Sequence, residues 1–127
     1  MTKFRKNIEK RFKKFKFLSQ NLSINEYFFI PRSYENVKTC WLAYPLILQN
    51  NLYNKRKEVQ IFLEKAGIQA RTIYTGNKMR QNVAQKFSWD SNSSFEVRNE
   101  VMSSGMILEC HTRQSQENLY YLIEKIL

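Results

Sequence analysis

A chain of 127 residues, 43% hydrophobic and 14% aromatic, is one domain with enough apolar side chains for a core. No apolar run approaches the roughly 18 residues of a membrane span, and three glycines are too few for a P-loop or a dinucleotide fingerprint. Of the net charge of +10, residues 1–20 supply +7, because Lys3, Arg5, Lys6, Lys10, Arg11, Lys13, Lys14 and Lys16 stand against Glu9 alone.

That charge therefore belongs to one segment. A solvated helix face accounts for it as well as contact with a polyanion does. The same charges interrupt every apolar stretch near the N-terminus, so no secretory leader is expected. Cys40 and Cys110 lack CxxC spacing, and free thiols in a reducing cytoplasm are the economical reading.

Residues 3–22 place Ile8, Phe12, Phe15 and Leu22 at helical spacing, with Leu18 nearby. This predicts a long basic helix that docks by a narrow aromatic face. "NEYFFIPRSYENVKT" reads as a short extended piece and a polar connector. "CWLAYPLIL" (40–48) is a strand whose Pro45 points to a sheet edge or a bulge. Asn54 is the expected cap of a helix burying Val59, Phe62, Leu63 and Ala66, with Gly67 as its left-handed terminator. In "IQARTIY", Ile68, Ala70, Thr72 and Tyr74 alternate with Gln69, Arg71 and Ile73, as in a second strand.

Beyond a polar segment reaching Asn92, Ser93 or Ser94 is the expected cap of "SFEVRNEVMSS", with Phe95, Val101 and Met102 inward and Gly105 as stop. "MILEC" is a third strand. Ser115 then caps "QENLYYLIEKIL", whose Leu119, Leu122, Ile123 and Ile126 form one stripe. The expected class is α+β: a long helix, then three strands covered by helices.

In order, "CWLAYPLIL", "FLEKAGIQARTIYTGNKMRQ", "VRNEVMSSGMILECH" and "ENLYYLIEKIL" resemble the C-terminal domain of the DegT/StrS-type sugar aminotransferase family. The "GIQ-x-R…GN-x-x-RQ" pattern is similar to its nucleotide-sugar 3-dehydratases of the CDP-4-keto-6-deoxyglucose type, which serve lipopolysaccharide synthesis. The resemblance implies the small domain of a fold-type I pyridoxal-phosphate enzyme. Residues 1–22 correspond to the interdomain helix and residues 23–127 to the small domain. It also implies a fragment, because the large domain with the cofactor lysine, or the histidine replacing it, has no counterpart here. Pyridoxal or pyridoxamine phosphate is implied for the full-length family, and this chain alone is expected to bind none. Expected partners are a separate large-domain chain or further copies of this one, and a nucleotide sugar once complemented.

The resemblance implies substrate-side roles for Arg71, Gly76, Asn77, Arg80, Gln81 and His111. Chemistry agrees with that for the loop: glycine admits close backbone approach, an amide donates and accepts, and a guanidinium forks onto phosphate. Arg71, mid-strand, needs a carboxylate, a phosphate or water, so interdomain ion pairing stands beside substrate contact. His111 follows Cys110 directly, which cannot build a tetrahedral metal site. No carboxylate spacing orients it for nucleophilic catalysis, and no catalytic residue or metal ligand is assigned. Two departures stand out: "RQNVAQKFSW" replaces the family's "RQPAY", and "LECHTRQ" puts Glu109, Thr112 and Arg113 at a "CHHG"-like turn. Two other readings remain open, a small basic protein binding nucleic acid or an acidic surface and a folded remnant without function, with a nucleic-acid partner not favoured.

Overall fold

The periodicity of the first segment is realised as helix α1, Lys3–Leu22, in a computed structural model that describes residues 3–32, 34–37, 39–73, 82, 84–86 and 95–127. Phe15, Leu18 and Leu22, three and four residues apart, lie on one face and are buried. Phe12 sits at the rim of that stripe and stays 50% exposed.

The extended piece after α1 does more than connect. Phe28–Phe29 (β1) pairs antiparallel with Leu48 and Ile47 of Ala43–Leu48 (β2). With Ala70–Thr72 (β3) and Gly105–Glu109 (β4), the sheet has, among the described residues, four strands in the order β1-β2-β4-β3, every neighbouring pair antiparallel. This corrects the expected three. Two residues are too short to show an alternation, so β1 leaves no periodic trace; Asn25 fixes it by accepting from the Tyr27 N–H at 2.8 Å. Pro45 is tolerated in an inner strand because β1 covers only Ile47 and Leu48. Among the described residues no strand pairs with the flank of Pro45 away from β4, and no ladder donor is missed there.

Helix α2, Arg56–Lys65, starts later than expected, with Lys55 at the cap position and no side-chain cap bond. Asn54 takes a left-handed conformation, φ 64°, and its N–H donates to Ser104 Oγ at 3.1 Å. A residue with those angles cannot present a cap side chain from an extended backbone. Leu63 is buried and Val59 and Ala66 partly so, but Phe62 is 55% exposed, because it lies along an open apolar cleft between α2 and the C-terminal helix. Gly67 ends α2 with φ 74°, as read.

Helix α3, Glu96–Ser104, runs straight into β4; Ser93 and Ser94 lie outside the described residues. Gly105 ends the helix, as read. Its backbone is extended, and glycine is needed because a Cβ there would lie 2.3 Å from the Val101 carbonyl oxygen. Ser115 caps α4, Gln116–Ile126, accepting from the Asn118 N–H at 3.2 Å.

The even-numbered residues of the sheet face the core. Tyr44, Leu46 and Leu48 of β2, Met106 and Leu108 of β4 and Ala70 of β3 pack with Phe15, Leu18 and Leu22 of α1, Leu63 of α2 and Leu119, Leu122 and Ile123 of α4. Each fully buried side chain of this size contributes roughly 1.5–3 kcal/mol. Trp41 stacks on Phe15, ring centroids 4.0 Å apart and planes 6° apart, and so closes the core beside α1. The opposite face holds Ala43, Pro45, Ile47, Ile107, Glu109 and Arg71, all at least partly accessible.

Candidate functional site

Strand alternation assembles the site on that opposite face. Register pairs Arg71 with Ile107 and Ala43 with Glu109, so Arg71, Ile107 and Glu109 point the same way. His111, two residues past Glu109, continues the series just beyond the strand end. Gln69 stands beside Glu109 for the same reason. These side chains line a concavity of about 210 Å³ with an apolar floor from Leu42, Ala43 and Ile107. A second, of about 430 Å³, shares Gln69, Glu109 and His111 and adds Arg113, Gln114 and Asn118 from the turn and start of α4.

Arg71 is exposed, and the sole ion pair among the described residues joins Lys125 to Glu124 at 3.1 Å. Its guanidinium is therefore uncommitted toward them and open to an anion. Glu109 adds an acceptor for hydroxyl groups. His111 is held by its neighbour: the Arg113 N–H donates to its Nδ1 at 3.2 Å. The arrangement offers a cation for negative charge and an acceptor for hydroxyls on one surface. It contains no nucleophile held by a base.

Two predicted site residues, Arg71 and His111, are brought to one surface. Gly76, Asn77, Arg80 and Gln81 lie outside the described residues, as do Tyr74 and Trp89. Sequence reading did not place Gln69 and Glu109 in the site, although the alternation of "IQART" and "MILEC" carries the signal. It also missed Lys14, read as part of a solvated face. The Lys14 ammonium donates to the carbonyls of His111 and Gln114, and no local pattern could show so distant a contact.

Beneath the His111 turn the environment is dry. Burial pushes the Cys110 thiol up, with Lys14 and Arg11 pulling the other way. Burial likewise raises Tyr44, against its hydrogen bond to Ser19, which is 3.3 Å long. Cys40 and Cys110 are both free thiols, the first exposed and the second buried.

Comparison with known proteins places this surface in context. The chain is 24% identical over 119 residues to the lipopolysaccharide biosynthesis protein RfbH of Salmonella typhimurium, a match covering 93% of this chain and 27% of that protein. The fold superposes on E. coli GDP-4-keto-6-deoxy-D-mannose-3-dehydratase with bound hydrated PLP at a TM-score of 0.86, with 21% identity and coverage of 98% and 32% of the two chains. Helicobacter pylori PseC, an aminotransferase involved in the biosynthesis of pseudoaminic acid, gives a TM-score of 0.78, 17% identity and coverage of 94% and 31%. This chain thus spans about a third of those structures, or less of the curated relative. The sequence profile of the DegT/DnrJ/EryC1/StrS aminotransferase family matches residues 1–127, and the chain belongs to that family.

Proposed function

We propose that this chain is the small, substrate-side part of a pyridoxal- or pyridoxamine-phosphate-dependent nucleotide-sugar 3-dehydratase or aminotransferase of deoxysugar and lipopolysaccharide synthesis. Residues 1–22 act as the interdomain helix and residues 23–127 as the small domain. Arg71 and His111, together with Gly76, Asn77, Arg80 and Gln81, contact the nucleotide sugar. The reading rests on one observation: Arg71, uncommitted toward the described residues, shares a concave surface with His111 and Glu109.

A pyridoxal-phosphate site needs a lysine, or its histidine replacement, facing a phosphate cradle. Neither concavity is lined by a lysine, and the His111 Nδ1 is already engaged. Among the described residues neither of these two linings fits the cofactor, so no step through it is assigned to them. Its residues bind and orient: Arg71 holds a phosphate or carboxylate, Glu109 accepts from hydroxyls, and Leu42 and Ile107 keep water from one side of the ligand. Chemistry is supplied by a large domain.

Absorbance spectroscopy tests this. A large domain of the same family, supplied as a separate polypeptide with cofactor, should form a stable complex with the purified chain and show the bound-cofactor band. The chain alone should show none. A complex that fails to form, or a defined imine on the chain alone, would overturn the reading.

A further inference from the structure

Lys14 belongs by sequence to the basic face of α1, yet its ammonium turns inward. It donates to two main-chain carbonyls, those of His111 and Gln114, at either end of the turn between β4 and α4. Two carbonyl oxygens directed at one point repel each other unless a cation sits between them, and a lysine ammonium carries three donors for the purpose. The turn is also tied internally. The Gln114 N–H donates to the His111 carbonyl at 3.2 Å, and the Arg113 N–H donates to the His111 Nδ1 at 3.2 Å. Nδ1 as acceptor leaves the proton of the neutral ring on Nε2. No residue from His111 to Gln114 takes a left-handed backbone, so the turn needs no glycine, and Lys14 adds a tie to it from α1.

The position and tautomer of the imidazole thus follow the turn, and the turn follows Lys14. We propose that Lys14 is a positioning residue: its ammonium locks the 111–114 turn and so fixes His111 on the wall shared by the two concavities. That this wall meets substrate rests on the function proposed above; the lock itself does not. Partial burial lowers the pKa of Lys14, with Cys110 acting against and Lys10 with the shift, as desolvation of an ammonium does.

NMR tests the lock directly, because His111 is the single histidine and its imidazole signals need no assignment. In Lys14→Met, the amides of Arg113 and Gln114 should exchange roughly tenfold faster. The imidazole nitrogens should move to the mixed-tautomer shifts of a solvated histidine, while β2 and β4 amides keep their protection. Lys13→Met, on the exposed neighbour, should change neither. Unchanged exchange and tautomer in Lys14→Met would overturn the proposal. If that variant does not fold, the unaltered protein decides: ammonium protons of Lys14 exchange more slowly than those of Lys13 if the lock exists, and equally fast if it does not. A turn freed in Lys14→Met, with nucleotide-sugar affinity of the assembled enzyme unaltered, would leave the lock standing and remove the substrate reading of the wall.

Discussion

At Gly105 the junction of α3 and β4 leaves room for hydrogen only. A Cβ would sit 2.3 Å from the Val101 carbonyl oxygen and 3.1 Å from Ile73 Cδ1, and the backbone atom cannot rotate aside. Gly105→Ala should therefore cost about 1–3 kcal/mol in urea unfolding. The arginine at position 71 behaves oppositely: exposed and without an ion partner among the described residues, it should tolerate Arg71→Ala within about 0.5 kcal/mol. The two thiols separate as cleanly. Cys40 is exposed, whereas Cys110 is fully buried with its pKa raised by burial. Alkylation of the native protein should label Cys40 and spare Cys110 until denaturant is added. At this scale the sequence showed Arg71 and His111 as chemistry worth noticing. Alternation puts Gln69 on the face of Arg71 and Glu109 on the face of Ile107, but only the register between β3 and β4 brings those two faces together.

Among the elements, long periodic segments were legible and short or contextual features were not. The stripe on α4 and its Ser115 cap follow from residues three to four apart, the range over which a helix interacts with itself. The same holds for Phe15, Leu18 and Leu22 on α1. Strand β1 was hidden because pairing with Leu48 and Ile47 is a property of the partner strand, not of two phenylalanines. Asn54 was misread because its N–H serves Ser104, fifty positions away. The two rims of α1 should respond differently to truncation. Leu18→Ala, at a fully buried site, should cost about 2–5 kcal/mol. Phe12→Ala, at a half-exposed one, should cost far less in the same thermal or urea measurement.

For the molecule as a whole, several buried groups stay neutral in the native state, and this sets the response to alkali. Burial raises Cys110 above the ordinary thiol value of 9.0 and Tyr44 above the ordinary phenol value of 10.0. Each folded pKa exceeds its unfolded one, so their stabilising contribution is complete below the unfolded values and declines as pH rises through the folded ones. Lys14 has the opposite sign: its pKa is lowered by burial, so the cost of holding its charge is relieved by alkali. Over about pH 8 to about pH 10.5 the thiol and the phenol should pull the urea midpoint down, so Tyr44→Phe should hold its midpoint better across that range than the unaltered protein does. The basic segment, +7 in residues 1–20, leaves the polyanion alternative open to a salt titration; steep release of nucleic acid by salt would favour it.

The chain spans 27% of the curated relative and 32% of the dehydratase structure, and in the function proposed above it is the lobe that holds the sugar nucleotide for chemistry done elsewhere. Turnover of a nucleotide-linked 4-keto-6-deoxyhexose, with and without a cofactor-loaded large domain, is the most direct measurement. The expected result is no turnover by the chain alone, turnover in the complex, and a KM raised roughly tenfold by Arg71→Ala, the loss of one charge-assisted contact. Turnover by the solitary chain, or a complex indifferent to Arg71→Ala, would contradict it.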